Sequence, residues 1–406
     1  MASKLQEFEL DFLSSITSSL LANIISSYYG VDKKTRQKKE FQKRCDVFHA
    51  EIAPHIINEV ISSHLPHVFT KLERIDIPQD SLIAPYIDIA GAHKPSISNA
   101  LATEIPSQHH DHKFLNWLKN ELGKRVDNDP TFSIHSIRSS GEINVGASDY
   151  YSTVSTCDKN YYDLIRYFPL NKRKGAMFAY KNDPKIIRWL ISLEKIVEKK
   201  SFSHYHASIG CSVLTVMKSS DGVYKYPIKV NSQEKGSGVC DSHVIPSFMF
   251  QPISKIVSEQ ERELDLETSV LKEYGEELLN IEGLESAETV DVMRRIISEN
   301  KHLKKIKKQL NNGNALLEIT GLILDIYRLR PEITFLLILN DSVYSKHIDP
   351  NWETEGKSLE TYPLDCDDTY HKLISDSESP LCAPGLASLV NGRSRALAYL
   401  AKLAKH

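Results

Sequence analysis

The sequence predicts an α/β protein in which a largely helical N-terminal region precedes a C-terminal half built of strands and helices together. Three observations support this class. Apolar residues recur at helical spacing in the first third of the chain. After Ser201 the texture turns to β-prone runs, two of them joined by Asp221-Gly222. Helical patterns then alternate with further apolar runs as far as a closing helix near Gly385 to Lys405.

The chain has 406 residues, 41% apolar and 25% charged, which is room for two or three domains and outside the disordered and fibrous classes. A net charge of −3 argues against a protein that coats nucleic acid, so general nucleic-acid binding is not expected. Six cysteines (Cys45, Cys157, Cys211, Cys240, Cys366, Cys382) scatter without CxxC spacing. That predicts reduced, mostly buried thiols in a cytoplasmic protein, not a disulfide framework or a zinc ribbon. Lys4 alone precedes an apolar stretch whose start is crowded by Glu7, Glu9 and Asp11, so no cleavable signal peptide is expected.

The first element, in residues 1–30, is the stretch from Leu10 to Tyr29, where Leu13, Ile16, Leu20, Ile24 and Tyr28 recur at helical spacing. Its length suits a membrane span of roughly 20 residues, yet six serines and a threonine dilute it. Small residues at Ser15, Ser18, Ser19, Ala22 and Ser26 permit close helix packing. The basic flank from Lys33 to Arg44 suits a cytoplasmic membrane surface. The stretch therefore fits either a buried or homo-oligomerising helix or contact with a membrane. Residues 31–106 continue helically from 46 to 75 through Phe48, Ile52, Ile56, Val60 and Leu65, and a linker follows, spaced by Pro78, Pro85, Pro95 and Pro106.

Residues 107–200 read as a middle α/β region. A helix is expected over 113–125, a strand from Phe132 to Ile137, and a helix from Pro184 to Val197 with Ile186, Leu190 and Leu193 inward. The tyrosine-rich stretch from Ala147 to Phe168 takes no assigned element. Residues 201–406 form the last unit. Strands are expected over Ile209–Met217 and Val223–Val230, then a loop Lys235-Gly236-Ser237-Gly238 and the run His243–Pro252. Helices over Ser258–Leu279 and Ala287–Leu310, strands over Leu316–Tyr327 and Ile333–Leu339, and the closing helix complete it.

The residues that carry chemistry lie in LKEYGEELL, Leu271 to Leu279. On a helix Glu273, Glu276 and Glu277 are related by i, i+3 and i+4 and share a face, while Val270, Leu271, Tyr274 and Leu278 group on another. Hard oxygen ligands held together in this way suit Mg²⁺ or Mn²⁺. Such an ion stabilises charge on phosphates and activates water. An acidic helix face of this kind is also simply solvated in many proteins.

Lys272-Glu273-Tyr274-Gly275-Glu276-Glu277 resembles the core of the Nudix signature, with lysine where the family has arginine. The order of hairpin, loop, glutamate helix and further strands over Ser201 to His406 is also similar. Within that family the likeness is to domains of bacterial regulatory or defence-type proteins, several with degenerate boxes. Ile323 to Glu332 is loosely similar to the same group. The resemblance implies a mixed-sheet α/β/α sandwich and a nucleoside diphosphate derivative as ligand. It also implies a divalent metal on Glu273, Glu276 and Glu277, which would be the catalytic residues of a pyrophosphohydrolase, and Lys272, Lys235, Arg328 and Arg330 on the ligand side. The box departs from the pattern at Ser258 and Leu264, at Pro246-Ser247-Phe248 and at Leu279. The lost glycines alter a loop whose backbone must approach phosphate closely. Hydrolysis, non-catalytic nucleotide sensing relayed through the N-terminal helix, and a structural scaffold all remain open.

Other groups have two explanations each. His109-His110-Asp111-His112 suits a transition metal or a helix cap. His204 and His206 suit a site or a strand start. Arg328 and Arg330 suit phosphate contact or salt bridges. Lys235 to Gly238 suits a phosphate loop or a turn, and Lys301 to Lys308 suits nucleic acid or a solvated helix face.

Overall fold

Aliphatic and β-branched residues concentrate where the strands form. A computed structural model of the chain describes residues 35–48, 52, 56–67, 86–87, 97–99, 110–137, 143–168, 182–199, 201–202, 205–231, 242–346, 357–375 and 381–404. The Leu10–Tyr29 stretch, the Lys235–Gly238 loop, His109 and His204 lie outside them.

The main sheet runs β1 (Tyr86–Ile87), β9 (Ala315–Asp325), β10 (Arg330–Leu339), β5 (Gly210–Lys218), β6 (Tyr224–Asn231) and β11 (Lys357–Pro363). β10 and β5 are parallel, in register from Glu332↔Gly210 to Leu339↔Met217, whereas β9–β10, β5–β6 and β6–β11 are antiparallel. The Asp221-Gly222 turn forms as expected, with Gly222 at φ +86°, a conformation glycine adopts without a Cβ penalty. Beyond Met217↔Lys225 the two hairpin strands diverge. The wedge is filled by β7 (Ser242–Val244) on β6 and β8 (Ser247–Met249) on β5.

Strands buried on both faces read as near-continuous apolar runs, and β5 and β10 do, broken only by small polar residues such as Ser212, Thr215 and Thr334 in their buried parts. Cys211, Val213 and Met217 enter one core, which also takes buried residues of α4 (Pro184–Lys199), α5 (Leu266–Glu277), α6 (Val290–Glu299) and α7 (Lys301–Asn311). Leu214, Val216, Leu336 and Ile338 enter a second, shared with α8 (Asp367–Ser375) and α9 (Ala383–Leu403). The architecture is α/β, a mixed sheet with helices on both sides. Gly392 lets α9 close on β5, since an added Cβ would stand 3.1 Å from Leu214 Cβ.

A smaller sheet, β2 (Ile97–Asn99), β4 (Ile143–Asp149) and β3 (Pro130–Ile137), comes from the first half. Its β3 bonds across residue 201: Phe202 N donates to His135 O at 2.8 Å and Ile134 N to Ala207 O at 3.0 Å. Trp189 Nε1 donates to Ile326 O at 2.8 Å. One hydrophobic core accordingly runs from Cys45 to Tyr344 and takes in Phe48, Ile52, Ile56, Val60 and Leu65, the helical set of the N-terminal region. The α1 helix, residues 35–47, leads into that set, and α2 (His112–Asn120) buries Phe114, Leu115 and Leu118.

Several boundaries differ from expectation, each for a local reason. The tyrosine-rich stretch ends β4 and then turns into α3, formed of Tyr150–Thr153, a wide turn at Val154–Asp158, and Lys159–Tyr167. Asp149 caps it by accepting from Ser152 N at 2.7 Å. The helix expected over 258–279 breaks before α5, because Asp265 caps Thr268 N and the Glu263 carboxylate instead takes Ile253 N and Ser254 N. The helix expected over 287–310 is two, parted at Asn300, whose side chain caps His302 N and Leu303 N. β1 and β2 fall within the proline-spaced linker, and β11 and α8 carried no assignment. Among the described residues no helix is long and apolar enough to cross a membrane.

Candidate functional site

α5 lays its apolar side, Val270, Leu271 and Tyr274, on the sheet face of Met217, and Tyr274 Oη reaches Met217 Sδ at 3.8 Å. Gly275 lets Leu284 and Leu303 close on the helix, with an added Cβ only 2.7 Å from Leu284 Cδ1. This fixes the rotation of α5 and turns its last two turns of carboxylates toward the hairpin β6 and the start of β8.

Glu273, Glu276 and Glu277 are therefore together and mostly buried, their side chains 18%, 16% and 20% exposed. They do not face open solvent. Lys272 Nζ stands between two of them, 3.0 Å from Glu273 Oε1 and 2.9 Å from Glu276 Oε1. Its hydrogen bond to Glu276 goes to the other oxygen, Oε2, at 3.0 Å. Glu276 Oε1 has no hydrogen bond within the described residues, and the ion pair alone balances it. Glu277 turns the other way, accepting from Lys229 Nζ at 3.3 Å and from Ser247 N at 3.2 Å.

Burial is the main force on Glu273. It lifts the carboxyl to about 7, with Glu276 and Glu277 adding to it and Lys272 opposing. Lys272, which burial alone would lower, is held above the usual lysine range by Glu273 and Glu276. A carboxylate that titrates near neutrality beside a fixed ammonium can hold or release a proton, and can exchange its lysine for another cation. As arranged, the place between Glu273 and Glu276 belongs to an ammonium group. Among the described residues no three His, Cys, Asp or Glu side chains converge as a metal-ligand set. A divalent ion fits only if Lys272 leaves.

The remaining sequence candidates are elsewhere or engaged. Arg328 and Arg330 stand together at the β9–β10 turn, on other carboxylates: Arg328 Nη1 is 2.6 Å from Asp325 and Arg330 Nη1 is 3.3 Å from Asp158. The Arg328 guanidinium also covers the Tyr161 ring at 4.1 Å. His110 Nε2 lies 2.9 Å from both Asp149 oxygens, and Asp111 caps α2 by accepting from Phe114 N. Lys301, Lys304, Lys307 and Lys308 are exposed on α7, whose buried side is Leu303 and Ile306.

A cleft of about 580 Å³ lies away from α5, between α2, α3 and α4. Its lining mixes lysine and arginine with Trp117, Tyr167 and Trp189. The sequence hid it because its chemistry comes from three separate helices; the helical spacing of Lys159, Asp163 and Tyr167 was the one available signal.

No family model matches the chain, and no curated protein matches it.

Proposed function

We propose that the C-terminal half is a Nudix-like unit that binds a nucleoside diphosphate derivative without cutting it. The support for a ligand site is the resemblance of Lys272 to Glu277 to the Nudix core, on a helix that packs against the mixed sheet of an α/β layer. The observation that carries binding over hydrolysis is Lys272 lodged between Glu273 and Glu276. It neutralises the pair that Mg²⁺ or Mn²⁺ would need. On this proposal a phosphate group would compete for Lys272 and Lys229, freeing carboxylates to reorganise, and the change would pass to residues 1–30 as altered homo-oligomerisation or membrane-surface contact.

A panel of nucleoside diphosphate derivatives, added with and without Mg²⁺, tests this by thermal shift and phosphate release. One or more members should raise the melting temperature, as any ligand selective for the folded state must, with no phosphate released. The shift should fall in Lys272→Gln and Lys229→Gln. Mass in solution, with and without residues 1–30, reports the relay. Mg²⁺-dependent release abolished in Glu276→Gln and Glu277→Gln would establish an enzyme instead. Absence of any shift across the panel would leave only the scaffold.

A further inference from the structure

We propose that the cleft between α2, α3 and α4 is a binding site for the di- or triphosphate group of a small anion. It goes beyond the nucleotide proposal for the C-terminal half, involves none of the α5 residues, and stands or falls without them.

The charge is concentrated against the trend of the molecule. The chain carries −3 overall, yet this cleft is lined by five cations, Lys113, Lys159, Arg166, Lys185 and Arg188, against two carboxylates, Asp111 and Asp163. A concave surface with a surplus of one sign focuses its field on ligands of the other. The two carboxylates do not cancel the surplus. Asp111 is taken by Lys159 Nζ at 2.5 Å and by the α2 amides. Asp163 has Lys185 at 3.9 Å, a long contact. Among the described residues Lys113, Arg166 and Arg188 face no carboxylate within ion-pair distance.

These cations are also held in place. Arg166 lies over the Trp117 ring at 4.4 Å, which fixes the guanidinium plane and leaves its N–H edge to hydrogen-bond. Lys185 Nζ sits 3.2 Å above the centre of the Tyr167 ring. Both therefore lose little side-chain freedom on binding. α4 begins at the cleft, so its positive end adds to the same field. Burial raises Asp163 above the usual carboxylate range, and the positive charges of Lys185, Lys159 and Arg166 oppose that rise.

Size and chemistry select the ligand. About 580 Å³ lies within the range of small-molecule sites, and arginine forks matched with lysines recognise phosphate oxygens. A single carboxylate would leave most of the cations unanswered, whereas two or three linked phosphates answer them. The phosphates come from free polyphosphate or from a nucleotide, and the two sources separate by experiment.

Calorimetric titrations of the full chain with tripolyphosphate and with ATP, at about 0.15 M ionic strength, provide the test. Saturable one-to-one binding is expected. Lys113→Glu/Arg188→Glu, two exposed side chains, should weaken it by on the order of a hundredfold, about tenfold per lost charge-assisted contact. Arg188→Gln alone should cost on the order of tenfold. Equal affinity for the two ligands assigns the cleft to the phosphate chain alone. Tighter binding of ATP than of tripolyphosphate assigns it to nucleotides. Lys307→Glu/Lys308→Glu on α7, which reverses the same amount of charge elsewhere, should leave binding unchanged. Absence of saturable binding to both, or equal weakening by the α7 control, overturns the proposal. Circular dichroism of each variant separates loss of binding from loss of fold.

Discussion

At the scale of single residues, burial sets the chemistry of the carboxylates. Glu332 on β10 lies across from Gly210, whose missing side chain makes room for it: a Cβ there would fall 1.7 Å from Glu332 Oε2. The Ser212 hydroxyl donates to its other oxygen. Burial, only partly offset by Ser212 and Arg330, raises Glu332 to about 7. A carboxyl raised in the folded state binds more protons there than in the unfolded chain. Its contribution is complete below the ordinary glutamate value and is lost as pH rises through 7. Glu332→Gln keeps the acceptor for Ser212 and removes the ionisation. Relative to the parent, it should therefore gain stability from pH 5 to pH 8, by between about 1 and 3 kcal/mol. Chemical denaturation at both pH values measures it, and a difference that is flat or of opposite sign would show that Glu332 is ionised without cost. Glu273 obeys the same rule, but its neighbours Lys272, Glu276 and Glu277 make it a less clean probe.

At the scale of elements, α5 is placed by what it lacks. Glycine inside a helix costs about 1 kcal/mol relative to alanine, so propensity alone predicts that Gly275→Ala stabilises. The Cβ would stand 2.7 Å from Leu284 Cδ1 and 3.1 Å from Leu303 Cδ1, both in the core. Overpacking of that kind costs roughly 1–3 kcal/mol. The variant should lose melting temperature and loosen the Glu273 turn, whereas a rise would mean that the two leucines repack freely. The elements themselves were legible where periodicity was unshared. The β5–β6 hairpin, β9, β10, α4 and α9 each carry one dominant period or one turn type, and all formed within a few residues of expectation. Breaks made by polar side chains were not legible: Asn300 and Asp265 interrupt patterns that continue smoothly through them, because a cap depends on a side-chain rotamer and not on hydrophobic spacing. β1 and β11 escaped for another reason. They are edge strands, defined by partners distant in sequence, β9 and β6. The shared face of Glu273, Glu276 and Glu277 was readable from spacing, but the place of Lys272 between two of them and the contact of Glu277 with Lys229 were not.

At the scale of the whole molecule, the boundary suggested by texture at residue 201 is crossed by more than the chain. β3, which precedes it, hydrogen-bonds to residues that follow it, through Phe202 N to His135 O, Ile134 N to Ala207 O and Phe132 N to Phe250 O. β1 adds an edge strand from the first half to the main sheet. The same core takes Phe48, Trp189, Leu193 and Ile196 from before residue 201 and Leu322, Tyr327 and Phe335 from after it. A fragment of residues 201–406 would expose that face, and losing several large apolar side chains at 2–5 kcal/mol each exceeds the stability of a typical domain. Expressed alone it should be aggregated, or collapsed without cooperative unfolding and able to bind an apolar dye. The full chain should unfold as one transition across its described core. A 201–406 fragment that melts cooperatively, within a few degrees of the full chain, would show that the two halves merely rest on each other. Signals from the α2–α3–α4 cleft would then have no shared core through which to reach α5. If the fragment fails as expected, the cleft and α5 belong to a single cooperative unit, and any effect that occupancy of one has on affinity at the other must be equal in both directions.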